Sequence, residues 1–198
     1  AENAGKTDFN DSAWKTVIVR HVWSIDGPFD DKNPTGPGGG YLPSGVSWYR
    51  KHFTVSPKDK GKKFFIEFDG VMEKSDVWIN GHHLGQRPSG YISFEYELTD
   101  HLNFGKDNVI TVKADTSAQP ASRWYTGAGI YRHVRLVTKN EVYIPQYGVF
   151  VTTPQVDENE AIVSVLSEIT NQSNKLQWVS MQVDLVDSNG KIVASEEN

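Results

Sequence analysis

Hydrophobic positions recur along this chain with a period of two rather than 3.6. Between 92 and 98, for example, Ile92, Phe94, Tyr96 and Leu98 alternate with serine and glutamates. Such alternation is typical of strands that bury one face, and no stretch has the spacing of a convincing amphipathic helix. The pattern therefore predicts an all-β protein.

Six strand-forming stretches precede residue 140, at 48–55, 62–68, 75–85, 92–98, 109–115 and 131–137. In 75–85, Asn80-Gly81 predicts a two-residue hairpin turn, because both residues tolerate positive φ angles. "TDHLNFGKDN" predicts a short helical turn or a loop, capped by Thr99 and closed at Gly105. In 62–68 we predict that Phe65 and Glu67 point away from the core. Besides the apolar residues of 92–98, the residues predicted to point inward are Tyr49, Phe53, Val55, Phe64, Ile66, Phe68, Ile110, Val112, Ala114, Val134 and Leu136.

The amino-acid composition changes near Ile144-Pro145, where aromatic residues become less frequent and glycine becomes scarce. Four strand-like runs follow, "YGVFVTTP", "AIVSVLSEIT", "LQWVSMQVDLVD" and "KIVAS", and they predict a four-stranded sheet. An immunoglobulin-like sandwich needs about seven strands. We therefore predict two domains, a sandwich at 1–143 and a partial, truncated immunoglobulin-like sandwich at 144–198. A complete small sheet docked on the first domain is the alternative.

The composition of the chain limits the classes of partner that we expect it to bind. The net charge of -5 offers no basic face, so neither nucleic acid nor an anionic membrane surface is an expected partner. The absence of cysteine excludes disulfides and thiolate chemistry. No apolar stretch approaches the ~20 residues of a membrane span, and the first residues lack the pattern of a signal peptide. The compartment stays open, with a periplasmic or extracytoplasmic location favoured over the cytoplasm.

Candidate catalytic groups are not evident. Glu95 and Glu97 share the solvent face of one strand, and Glu67 and Asp69 share another, so neither pair has the placement that glycoside hydrolysis requires. The six histidines lack metal-ligand spacing, and no Gly-x-Ser-x-Gly elbow is present. We expect no catalytic residue, no metal and no cofactor in this chain. The glycine-rich run 33–45 lacks the Gly-Lys-Ser/Thr ending of a phosphate loop; it is either a flexible surface loop or one that reaches into a binding site.

Four blocks of the sequence look familiar: "WSIDGPFDDKNPTGPGGGYLPSGVSWYRKHF", "FDGVMEKSDVWINGHHLG", "GYISFEYELTDHL" and "ASRWYTGAGIYRHVRL". In order and spacing they resemble the N-terminal sugar-binding domain of family 2 glycoside hydrolases, the β-galactosidase and β-glucuronidase group, over about residues 8 to 140. The resemblance implies a jelly-roll β-sandwich, then an immunoglobulin-like domain, then a (β/α) barrel that carries both catalytic glutamates. Because this chain lacks the barrel, we expect it to be inactive alone.

The resemblance also implies that loops of the first domain contact a β-galactoside-like sugar at the mouth of the barrel. Amides and carboxylates bond sugar hydroxyls, and aromatic faces cover the apolar side of the ring. The sugar-contact candidates are Asn33, Asp115, Arg123, Trp124 and Tyr125. Trp124 could instead fill the core, and Arg123 could instead pair with an acid of the barrel.

The sequence departs from the family pattern at four places. Arg20 and Val22 stand where a proline and an acid are expected, and Thr116 and Ala121 stand where amides are expected. Glucuronides, mannosides and decorated galactosides therefore remain open as substrates. Two functional classes follow: the non-catalytic part of a β-galactosidase-like enzyme, or a stand-alone carbohydrate-binding module. Family members associate through these β domains, so a homo-oligomer is an expected state.

Overall fold

A computed structural model describes residues 3–197. The chain divides into two compact units, Ala1–Thr138 and Lys139–Asn198. Our predicted boundary lay between residues 143 and 144. The short strand Val142–Tyr143 pairs with Thr170–Asn171, and this pairing places it in the second unit.

The first unit contains two β-sheets. Its strands are β1 (Val46–Thr54), β2 (Lys63–Phe68), β3 (Ser75–Ile79), β4 (His82–Arg87), β5 (Phe94–Glu97), β6 (Asp107–Asp115) and β7 (Val134–Lys139). One sheet has the order β1-β6-β3-β4 and the other β5-β2-β7. Within the described part of the chain, helical structure is limited to the 3-10 turns Trp23–Asp26, Pro57–Asp59 and Thr99–His101. None of the described helices is long and apolar enough to cross a membrane.

The core of this unit takes side chains from both sheets. Phe68 of β2 is 1% exposed and stacks on Phe94 of β5, with ring centroids 4.9 Å apart. Val112 of β6 and Val77 and Ile79 of β3 belong to the same buried cluster. Alternation along each strand supplies these residues, because every second side chain points to the same face. The predicted all-β sandwich is confirmed.

The β3–β4 hairpin turns at Asn80-Gly81 as predicted, with φ angles of 48° and 82°. Asn80 also ties the turn to the rest of the unit: its Nδ2 donates to His101 O at 2.7 Å, and its Oδ1 accepts from Val109 N at 2.9 Å. The turn residue predicted from propensity is thus fixed by tertiary contacts as well.

Four predicted placements are wrong. Ile92 is 51% exposed and precedes β5, which begins at Phe94. Leu136 is 44% exposed, so its face of β7 is not covered at this position. Phe65, placed opposite the core, is 5% exposed, so the central strand β2 is covered on both faces. Thr99 does not cap its own turn; its Oγ1 accepts a bond from Phe64 N at 3.0 Å instead.

The second unit consists of strand pairs rather than the predicted four-stranded sheet, which was wrong. Its strands are β8 (Val142–Tyr143), β9 (Val149–Val156), β10 (Ala161–Ser167), β11 (Thr170–Asn171), β12 (Gln182–Val186) and β13 (Ile192–Glu197), joined as β10-β9, β11-β8 and β12-β13. Pro154 removes a backbone donor from β9, which disfavours a further ladder there. The predicted strand through Trp178 begins only at Gln182, and Trp178 is 95% exposed. An open apolar cavity of about 310 Å³ lies among Val163, Val165, Met181, Val183, Leu185 and Ala194.

Candidate functional site

Three loops of the first unit surround one small cavity. They are the segment around Ser24, the glycine-rich loop 33–45 and the segment 116–128. The cavity measures about 20 Å³, which is room for about one water molecule. Pockets that enclose a small-molecule ligand measure on the order of 300 Å³ or more. Its lining residues are Ser24, Thr35, Gly39, Pro43, Ser44, Thr116, Gln119, Ser122, Trp124, Tyr125, Thr126, Gly127 and Ala128.

Two backbone hydrogen bonds position the first loop. His21 N donates to Ile130 O at 2.7 Å, and Trp23 N donates to Ala128 O at 3.1 Å, so this segment runs beside residues 128–130 as an added strand would. Ser24 follows directly and is 1% exposed. A buried hydroxyl is therefore held at the base of the cavity.

The glycine-rich loop folds into successive turns. Gly36 N bonds to Asn33 O at 3.1 Å, and Tyr41 N bonds to Gly36 O at 2.8 Å. The side chain of Asn33 stabilises the fold of this loop, because its Nδ2 donates to Tyr41 O at 2.8 Å and to Pro28 O at 3.3 Å. These contacts order the loop and argue against a flexible loop; that it reaches into a binding site stays a prediction. The predicted sugar contact Asn33 has its amide N–H groups engaged within that loop.

Trp124 and Tyr125 also line the cavity, and Arg123 precedes them outside the lining. Trp124 is 63% exposed, so the interpretation of Trp124 as a core residue is wrong. Tyr125 is 40% exposed, but its Oη reaches inward and shares a hydrogen bond of 2.7 Å with Ser24 Oγ. Arg123 is exposed, and its backbone lies against Gly38, where an added Cβ would approach Arg123 Cα to 3.3 Å. This close approach joins the two loops.

Asp115 stands apart from these residues. It ends β6, and its carboxylate accepts a bond from Ser117 N at 2.9 Å and lies 3.9 Å from Lys113 Nζ. Burial raises the pKa of Asp115, but the hydrogen bonds from Ser117 and the charge of Lys113 outweigh it and leave the pKa below its usual value. The carboxylate stays ionised, and it is not among the residues that line the cavity. The structure thus brings together Trp124 and Tyr125, with Arg123 beside them, but not Asp115.

Sequence reasoning missed the serines, threonines and glutamine of the cavity, among them Ser24, Thr116 and Gln119. Thr116 is 3% exposed; its Oγ1 donates to Gly45 O at 3.0 Å, which closes the base of the glycine-rich loop. Gln119 Nε2 donates to Thr116 O at 3.1 Å. Thr116 had been noted only as a departure from the family pattern. Single serines and threonines carry no local signal for such a role.

Carboxylates elsewhere in the first unit have structural partners. Arg135 binds both oxygens of Asp69, at 2.7 and 2.9 Å, and this pairing holds the pKa of Asp69 below its usual value. In residues 3–197, no group of three or more His, Cys, Asp or Glu side chains is arranged to hold a metal ion. What the cavity offers is a set of neutral hydroxyl and amide groups beneath an exposed indole.

Comparison with known proteins fits this arrangement. Residues 32–140 match the sequence profile of the sugar binding domain of glycosyl hydrolases family 2. The chain belongs to this family. It is 45% identical over 191 residues to the β-galactosidase BoGH2A of Bacteroides ovatus, covering 96% of this chain and 22% of that protein. It is 35% identical over 214 residues to a β-glucuronidase of Formosa agariphila, covering 98% and 22%.

Solved structures agree with the sequence comparison. A β-glycosidase from Bacteroides vulgatus superimposes with a TM-score of 0.90 at 42% identity, over 100% of this chain and 25% of that one. The chain spans about a quarter of the length of the relatives it matches. In this family the sugar-binding domain is non-catalytic, and this chain matches that portion of longer glycosidases.

Proposed function

We propose that this chain provides one wall of the substrate site in a β-galactosidase-like glycoside hydrolase whose catalytic residues lie on a (β/α) barrel. The cavity carries the argument. At about 20 Å³ it cannot enclose a pyranose, yet an exposed tryptophan and a set of neutral polar groups meet at its mouth. Such a surface fits a site that closes only when a second wall is added.

The chemistry of the wall favours a neutral sugar. The side chains that line the cavity are uncharged: serines, threonines, a glutamine and aromatic residues. A glucuronide would add a carboxylate, which proteins commonly bind with a bidentate arginine. Arg123 is the neighbouring cation, but it lies outside the lining. A β-galactoside needs only hydroxyl partners and an aromatic face, and we propose it as the substrate.

The test uses the full-length enzyme and the variant Trp124→Ala. We expect KM for an aryl β-galactoside to rise about tenfold, because loss of an aromatic contact of about 1.4 kcal/mol corresponds to that factor. Tyr91→Ala is the control, since Tyr91 is an aromatic of similar exposure, 57%, that lies outside the lining. An unchanged KM for Trp124→Ala contradicts the proposal.

A titration of the isolated chain distinguishes this proposal from the alternative, a stand-alone carbohydrate-binding module. Residues 1–198 should bind methyl β-galactoside weakly or not at all by calorimetry, because only part of the contact set is present. Micromolar affinity would instead identify a stand-alone carbohydrate-binding module.

A further inference from the structure

We infer that Ser24 is a positioning residue, which fixes the orientation of Trp124 through its hydrogen bond to Tyr125. This inference rests on the proposed function, in which Trp124 contacts the sugar. The two hydroxyls are 2.7 Å apart, although the residues are 101 positions apart in the chain. Ser24 is buried while Trp124 is 63% exposed, and the hydrogen bond to Tyr125 connects Ser24 to the residue next to Trp124.

The backbone on either side of Trp124 and Tyr125 explains why the hydrogen bond between Ser24 and Tyr125 affects this loop. Gly127 and Gly129 follow with φ angles of 84° and 102°, and Gly129 exchanges two backbone bonds with Met72, at 2.6 and 2.9 Å. The chain is therefore fixed from Gly129 onward. Before the pair, the Ser122 hydroxyl bonds to the backbone of its own loop, accepting from Trp124 N at 3.4 Å and donating to Trp124 O.

Tyr125 thus provides a side-chain link between this loop and the rest of the unit, in addition to the backbone approach of Gly38 to Arg123. Among the described residues, its one side-chain hydrogen bond is the bond to Ser24. Ser24 is itself held by its neighbour Trp23, whose N donates to Ala128 O at 3.1 Å. The serine hydroxyl therefore has a fixed position, and the tyrosine ring takes its orientation from that hydroxyl.

Loss of this bond should alter the loop without unfolding the unit. Tyr125 is 40% exposed, so a released phenol can bond to water instead. A hydrogen bond of ordinary net strength corresponds to about a fivefold change in an opening equilibrium. We therefore expect the amide of Trp124 to exchange its hydrogen about fivefold faster in Ser24→Ala, with the amides of β3 unchanged.

Fluorine NMR of the 198-residue chain labelled with 5-fluorotryptophan tests the inference. The chain has six tryptophans, and Trp124→Phe assigns the resonance of Trp124. Ser24→Ala and Tyr125→Phe should each move that resonance toward the position of the unfolded chain and leave the other five in place. The double variant should add nothing, because each single change already removes the same bond.

The control is Ser93→Ala, which removes a hydroxyl bond to Asp69 O of 3.3 Å elsewhere in the unit and should leave the Trp124 resonance unmoved. An unmoved Trp124 resonance in Ser24→Ala overturns the inference. So does a shift in Ser24→Ala that Tyr125→Phe does not reproduce, since that result indicates a packing defect.

Kinetics of the full-length enzyme separate this inference from the proposed function. We expect Ser24→Ala to raise KM about fivefold at unchanged kcat. If Trp124→Ala raises KM and Ser24→Ala does not, Ser24 is not a positioning residue. If Trp124→Ala itself leaves KM unchanged, the proposed function fails, while the fluorine result still decides whether Ser24 orients the loop.

Discussion

Arg50 binds Asp11 from within the protein: its side chain is 1% exposed, and its Nε donates to Asp11 Oδ2 at 2.8 Å. The same guanidinium donates to Lys6 O at 3.0 Å, to Thr111 Oγ1 at 3.2 Å and to Ala4 O. One buried cation thus fastens the segment from Ala4 to Asp11 onto the outer face of β1 and β6.

Replacement of Arg50 by methionine should lower the free energy of unfolding by about 3 kcal/mol, because the change leaves two backbone carbonyls without their donor and Asp11 with His52 as its remaining side-chain partner. Urea unfolding measures this. Arg135→Met is the matched comparison: its pair with Asp69 is bidentate, but the arginine side chain is 47% exposed, and such pairs contribute about 0 to 1 kcal/mol. Equal losses from the two variants would contradict the assignment.

His52 should make the stability of the first unit depend on pH. A hydrogen bond to Asp107 of 2.6 Å raises the pKa of His52 above its usual 6.5, against some desolvation and with help from Asp11. Because the folded state binds this proton more tightly, the contribution is complete below pH 6.5 and is lost as pH rises through the raised pKa. The side chain is 48% exposed, so the contribution should stay below about 1 kcal/mol.

The measurement compares thermal unfolding of the wild type and His52→Gln at pH 5.5 and pH 8.5. The wild type should lose more stability between the two pH values than the variant does. Asp107→Asn should behave like His52→Gln, since it removes the main cause of the shift. Parallel pH profiles of all three proteins would rule this role out.

Phe68 should be among the most costly core residues to truncate. It is 1% exposed and stacked on Phe94, so Phe68→Ala leaves a cavity and should cost about 3 to 5 kcal/mol. Ile92→Ala, at a position 51% exposed, should change stability by less than about 0.5 kcal/mol. Chemical denaturation would show both effects, and a large loss from Ile92→Ala would place that residue in the core after all.

Alanine substitutions at two glycines distinguish the cost of steric overlap from the cost of backbone strain. Gly129 and Gly61 have nearly equal φ angles, 102° and 99°. A Cβ at Gly129 would overlap the Tyr49 hydroxyl and approach His21 O to 3.1 Å, whereas a Cβ at Gly61 would meet nothing within 4 Å.

Gly61→Ala should therefore cost about 1 to 2 kcal/mol from conformation alone. Gly129→Ala should cost about 2 kcal/mol more, because it overpacks a closed site. Calorimetric melting of both variants gives the difference, and equal melting temperatures would show that Tyr49 moves aside freely.

Local patterns predicted the strands well where two signals agreed. Asn80-Gly81 between alternating runs predicted a hairpin, and the turn has the expected angles. Alternation alone was less reliable at the ends of strands. Ile92 and Leu136 continue an apolar pattern, but burial there depends on whether another sheet covers the position, and one sequence carries no local record of that.

The candidate site was predictable only in part. The resemblance to a family of sugar-binding domains indicated Trp124 and Tyr125, and the structure places both in the lining of the cavity. Ser24 could not be found in this way. Its role depends on a contact with Tyr125, and nothing near either residue indicates which distant hydroxyl will meet the other.

The distance in sequence between Ser24 and Tyr125 also sets the order of events during synthesis. A ribosome adding 5 to 20 residues per second takes on the order of ten seconds to pass from the first hydroxyl to the second. During that interval the strand-like segment at His21 has no partner, because Ala128 and Ile130 have not yet been made. The cavity wall that contains Trp124 and Tyr125 is therefore among the last parts of the first unit that a nascent chain can complete.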